Sequence, residues 1–378
     1  MLSSHAAPRA TTLAEHIRAR VERHLRRYPA AVQTAVRAAA RVHPHVADLA
    51  VSFPALLLAV ATTRRGADRA RLIAAILDGE PLAHVAALAG IPLWLRRLPP
   101  ETFARPIPPL PDGALFRRQI ANHLPASVKL APAWLDAVSR AALWGHEGLA
   151  VWFARELTRD PKRARKLHCL NTIALWAWYS AHVPADAGLV ARPWHPAMHF
   201  KTALAAADDW RTRVALHLNI GTAAIADMWL RPAVVGGFEF VPLDTAQLIA
   251  EEAAAMNNCL CSYGPGLAHE GSRLWSIRED GARVADVSIV KYRNNPLPSV
   301  GELLLANNRE APIQLWLIAR TWLNGHELQQ VDMKRPKWGT VQLDARLWRS
   351  FWRPYWLAKR CFPSWLPLRA SRRALKAL

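Results

Sequence analysis

The apolar residues of this chain change their pattern near Arg231, and that change bounds the folds open to it. On the N-terminal side they recur at spacings of three and four, the repeat of a helix that buries one face. Beyond Arg231, short runs alternate apolar with polar residues, the repeat of a strand. The chain is therefore expected to be α+β, with helices first and a small sheet late.

Four sections follow from punctuation and composition. Residues 1–160 are Ala/Leu/Arg-rich and broken by Pro29, Pro44, Pro81, Pro92 and the run "LPPETFARPIPPLPDG", which predicts a stack of short helices, solenoid-like in style though without a fixed repeat. Residues 161–232 form a second helical section whose Trp176, Trp178, Trp194, Trp210 and Trp229 are suited to filling gaps between helices. Residues 233–328 hold the alternating runs, and residues 329–378 form a basic, Trp-rich extension. The two most apolar stretches, residues 46–63 and 170–183, read as buried helices; the first is interrupted by Asp48 and Pro54, and neither is long enough to span a bilayer.

Within 233–328, "RPAVVGGFEFVPLD" reads as hairpin arms around Gly236-Gly237. Asp244 with Gln247 predicts a capping box for a helix over 245–256. Asp280-Gly281, between "SRLWSIRE" and "ARVADVSIVKY", is a strong hairpin signal, because both turn positions tolerate positive φ. A third strand is expected at "VGELLLAN". Ala285, Val287 and Ile289 should then share one sheet face, covered by an apolar helix over 312–323.

Charge narrows the partners. The chain carries a formal net charge of +20, and residues 333–378 hold twelve Lys or Arg against Asp344 alone. Such a surplus favours polyanions, either nucleic acid or an anionic membrane surface. Four cysteines without zinc spacing argue against a disulfide framework and a structural metal, and predict a reducing, cytoplasmic setting. The N-terminal stretch lacks the apolar core of a secretory signal. No cofactor-binding pattern is present: there is no phosphate-cradling Gly loop and no GxSxG. "WHPAMH" places His195 and His199 four apart but lacks the Glu of HExxH, so no metal site is expected.

At residues 237–323 the order "PLDTAQLIAEEAAAMNNCLCSY", Gly271, "RLWSIRE", then two strands and the turn "NNREAP" resembles the PcfJ-like family, found on conjugative plasmids, in phages and on bacterial chromosomes. A His-Cys pair followed by a Tyr marks that family. The resemblance maps the Cys to Cys259, the Tyr to Tyr263, and a strand Ser and Arg to Ser276 and Arg278. The His maps to Asn258, which is a departure, and the family's Gln and Gly near the third strand are not recognisable here. The resemblance implies a mobile-element or DNA-processing context, with nucleic acid or the proteins of such a complex as partners.

Two candidate sites emerge. An enzymatic reading makes Cys259 a nucleophile with Tyr263, Ser276 and Arg278 around it, its base coming from another segment such as His269. The plain packing account makes Cys259 a small buried hydrophobe beyond a helix that ends at Asn257 and Asn258, with Glu251-Glu252 on a solvated face. The second site is the extension. In "LDARLWRSFWRPYWLAKRCF", Trp348, Trp352 and Trp356 recur every four residues beside Arg346, Arg349 and Arg353, with Lys359 and Arg360 following. That pattern suits phosphates on Arg and bases on Trp, or a membrane surface; packing of the Trp stripe on the protein's own helices is the alternative.

Overall fold

The computed structural model describes residues 13–160, 162–163, 167–182, 188–327, 331, 333–337 and 343–378. The first twelve residues, and the parts of the basic extension at 329–330, 332 and 338–342, lie outside the described residues. The fold is α+β. Two compact units divide the chain, Met1–Ala174 and Leu175–Leu378.

The first unit is helical: α1 (Leu13–Leu25), α2 (Ala30–Ala40), α3 (Pro44–Ser52), α4 (Pro54–Thr62), α5 (Gly66–Leu77), α6 (Leu82–Leu88), α7 (Ala114–Ile120), α8 (Ala131–Arg140) and α9 (Glu147–Arg159), with the division falling inside α10 (Leu167–His182). Proline sets where several of them begin. Pro29 and Pro81 immediately precede α2 and α6, while Pro44 and Pro54 occupy the first turns of α3 and α4, where a missing N–H costs nothing. Residues 46–63 are accordingly two helices. Phe53, driven out of the helical region by the following Pro54, takes φ −156° and breaks the run. Its ring is buried with Leu49, Leu56 and Leu57, and Tyr28 Oη donates to the Pro54 carbonyl at 2.7 Å.

The second unit contains α11 (Phe200–Ile220), α12 (Ala246–Met256), α13 (Gly264–Ala268), α14 (Ile313–Asn324), α15 (Ala345–Lys359) and α16 (Arg372–Ala377). Its sheet runs β1 (Ala233–Val235), β2 (Phe238–Pro242), β3 (Ser272–Glu279), β4 (Ala282–Tyr292), β5 (Asn295–Leu305) and β6 (Arg309–Glu310), antiparallel throughout and in chain order. The Gly236-Gly237 and Asp280-Gly281 turns both have positive φ at both positions, as two-residue hairpins require. The third expected strand is longer than its alternating run, because it pairs along β4 from Asn295.

One sheet face is apolar. Phe240, Trp275, Ile277, Ala285, Val287, Ile289 and Leu303 pack with Leu315, Ala319 and Trp322 of α14, the arrangement that strand alternation predicts. On the other face, Leu274 and Leu243 pack with Ile249, Ala250 and Ala253 of α12 and with Leu260, Cys261 and Leu267. α12 is capped one residue later than the sequence suggests: the Thr245 hydroxyl, not Asp244, accepts from Leu248 N–H. A third aromatic nucleus joins Trp178 and Tyr179 of α10, Trp210 of α11, and Phe351, Trp352 and Tyr355 of α15. Among the described residues, no helix is long and apolar enough to cross a membrane.

Candidate functional sites

The first candidate site lies where α12 ends over the sheet. Asn257 terminates the helix in the left-handed conformation, φ 48°, which Asn tolerates better than most residues. Two further left-handed asparagines, Asn307 and Asn308, turn the chain after β5 and reach back. Asn257 Nδ2 donates to Asn307 Oδ1 at 2.6 Å, and the Cys259 N–H donates to Asn308 Oδ1 at 3.2 Å. The loop carrying Cys259 is thus pinned to the end of β5.

Cys259 is exposed, which corrects the packing account that placed it beneath the sheet; Cys261 is the thiol that packs there, and burial pushes it up to about 11. Asn258 turns inward instead. Its Nδ2 donates to Asp286 Oδ2 at 2.5 Å while its Oδ1 accepts from Leu260 N–H. Cys259 and Tyr263 border a concavity of about 10 Å³ with Asp286, Ser288 and Glu302, room for about one water-sized group. Tyr263 donates to Glu302, and burial together with that bond pushes its hydroxyl well above the ordinary range.

Of the four residues assigned by resemblance, Cys259 and Tyr263 line this concavity and Ser276 and Arg278 do not. Ser276 is fully buried and donates to Glu252 Oε1 at 2.7 Å, and Arg278 lies beside the same carboxylate at 3.6 Å. Glu252 also accepts from Arg283 Nε at 2.8 Å. Far from facing solvent, Glu252 is buried on the sheet side of α12, three residues from Ile249. Opposite it stands Asp286, 4% exposed, within hydrogen-bonding range of Glu252 and with no donor to its Oδ1 among the described residues. Burial first, and the Glu252 charge second, push the Asp286 carboxyl up to about 7. A proton on Asp286 donated to Glu252 satisfies both groups. His269 serves elsewhere: its Nδ1 faces the Lys337 carbonyl at 3.0 Å and its Nε2 faces Arg372.

Glu252, Asp286, Glu302 and the Asn307-Asn308 turn are the polar residues that sequence reasoning passed over as functional groups. A signal existed for the first two. Glu252 falls on the apolar stripe of Ile249, Ala253 and Met256, and Asp286 alternates with Ser288 on a strand whose other face presents Ala285, Val287 and Ile289.

The second candidate site is the α15 surface. Asp344 caps the helix, accepting from Arg346 N–H at 2.6 Å and from Leu347 N–H. The Trp stripe divides. Trp348 and Trp352 are buried, whereas Trp356 is 44% exposed. Trp352 is therefore corrected from a stacking surface to a core residue: its ring meets Trp348, Phe351, Tyr355 and Phe362 at centroid distances of 5.0–6.0 Å. Beside it runs an open groove of about 520 Å³ lined by Arg346, Arg349 and Arg353, by Trp348, Trp352 and Trp356, and by Phe362 and Leu368. The three arginines are exposed, and among the described residues no acidic side chain lines the groove. Arg360 ends the helix in the left-handed conformation, its guanidinium 5.9 Å from the Trp356 ring centroid; Lys359 is half-buried, which lowers its pKa.

His195 and His199 are both exposed, and among the described residues no three His, Cys, Asp or Glu side chains converge on a metal position. Compared with known proteins, the chain matches no family model, no curated protein and no solved structure.

Proposed function

We propose that the protein is a nucleic-acid-binding accessory protein whose contact surface is the basic flank of α15. The carrying observation is the groove itself: Arg346, Arg349 and Arg353 stand exposed at it, with no acidic residue lining it among the described residues. Spacings of three and four residues set these guanidiniums along about 10 Å of helix. A row of that kind neutralises backbone phosphates without reading sequence. The formal charge of +20 supplies long-range attraction. The resemblance of residues 237–323 to PcfJ-like proteins supports a mobile-element or DNA-processing setting.

Point replacement is the right test, because deleting the extension would also remove Phe351, Trp352 and Tyr355 from the core. Changing Arg346, Arg349 and Arg353 together to Gln should weaken binding to every oligonucleotide alike. The slope of log affinity against log salt should flatten by about 0.7–0.9 for each phosphate that is no longer neutralised. An unchanged slope would remove α15 from the interface.

A second reading, cysteine-dependent chemistry, is favoured by one observation: the exposed Cys259 shares its concavity with Asp286. Its test is reactivity. Iodoacetamide should label Cys259 first among the four cysteines and leave Cys261 for last, as their exposures dictate. Chemistry at Cys259 requires more, namely labelling at neutral pH about ten-fold faster than a free cysteine in solution. A rate equal to that of free cysteine makes it an ordinary surface thiol.

A further inference from the structure

We propose that the α15 groove seats an unpaired nucleobase, so that the strand crossing this helix is single-stranded there. The inference rests on the nucleic-acid reading above and adds to it the class of ligand. Phosphate binding alone calls for a basic ridge. Here the ridge borders a concavity of about 520 Å³ with an apolar floor, within the range of about 300–1,000 Å³ typical of small-molecule sites. In a duplex the bases are stacked inside and only their edges face outward, so an apolar recess beside the phosphate row finds nothing to fill it. An unpaired base is flat, apolar on its faces and attached to the phosphates that the arginines would hold.

A further detail fits a base. Trp356 offers an exposed ring at the edge of the groove, already approached by a planar cation, Arg360. The shape also discriminates against a bilayer. Membrane-surface helices insert a convex apolar ridge, whereas Trp348 and Trp352 are sunk in the protein and cannot enter a headgroup layer.

The test measures fluorescence anisotropy of the full chain with a single-stranded oligonucleotide, the duplex of the same sequence, and an abasic strand of equal phosphate number, alongside sedimentation with phosphatidylserine vesicles. The single strand should bind at least ten-fold tighter than the duplex or the abasic strand at equal salt. Trp356→Ala and, separately, Leu368→Gln should each remove about ten-fold of single-strand affinity while leaving duplex binding unchanged; both side chains are exposed, so the fold does not depend on them. Equal binding of all three nucleic acids, still abolished by the triple Arg→Gln change, overturns the base-seating inference and leaves the phosphate reading standing. Tighter binding to vesicles than to any oligonucleotide overturns both.

Discussion

Asp286→Asn should make the protein more stable than the parent above pH 7 and change it little near pH 4. The carboxyl is buried, and its folded-state pKa of about 7 lies well above the ordinary value of 3.8. A group raised in this way stabilises the fold fully below its unfolded pKa. That stabilisation is lost as pH rises through the folded one, because from about pH 4 to 7 the folded protein keeps a proton that the unfolded chain has released. The gap corresponds to on the order of 4 kcal/mol. The groups facing Asp286 are Glu252 from α12, Arg283 on its own strand, and Asn258 from the loop. Once Asp286 ionises, it stands buried against the Glu252 carboxylate. An amide at this position can donate to Glu252 at every pH. Urea denaturation of parent and variant from pH 4 to 9 measures the difference; parallel curves would show that Asp286 holds no proton in the folded state.

Trp352→Ala should cost about 3–5 kcal/mol, the range for a fully buried large aromatic. For a unit of this size that amounts to a fall in Tm on the order of 10 °C. The ring is 1% exposed and lies between Trp348, Phe351, Tyr355 and Phe362, so its removal leaves a cavity at the centre of the aromatic nucleus. Trp356→Ala, one turn along the same stripe, should shift stability by no more than about 0.5 kcal/mol. Thermal unfolding of the two variants side by side separates the core member of the stripe from its surface member. Equal melting temperatures would contradict the burial of Trp352.

The fold was legible wherever a local rule acts alone. Positive-φ turn residues announced the β3–β4 hairpin, strand alternation announced which face of β4 meets α14, and proline announced helix starts. Legibility failed where tertiary partners decide. Nothing local to "NNCLCSY" says which cysteine turns inward; the two asparagines after β5, some 50 residues away, hold Cys259 out. Glu252 resembles any surface glutamate until Ser276 and Arg283 arrive from the sheet to satisfy it in the interior. The Trp stripe of α15 gave its helical period correctly but not its division. Which turns face the core depends on where Tyr179 stands, and that is set 172 residues earlier in the chain.

The order of the strands in the sheet has a consequence for how the protein is made. Each strand pairs with its neighbour in sequence, so the sheet can grow by adding one hairpin arm after another as the chain leaves the ribosome. The aromatic nucleus has no such option. Tyr179 Oη donates to the Phe351 carbonyl, a partner synthesised 172 residues later, so Trp178, Tyr179 and Trp210 must wait for α15 to emerge. The basic groove is built on this nucleus, so a nascent chain that has not yet released α15 would carry a finished sheet but no groove, and the proposed nucleic-acid contact would wait for that helix.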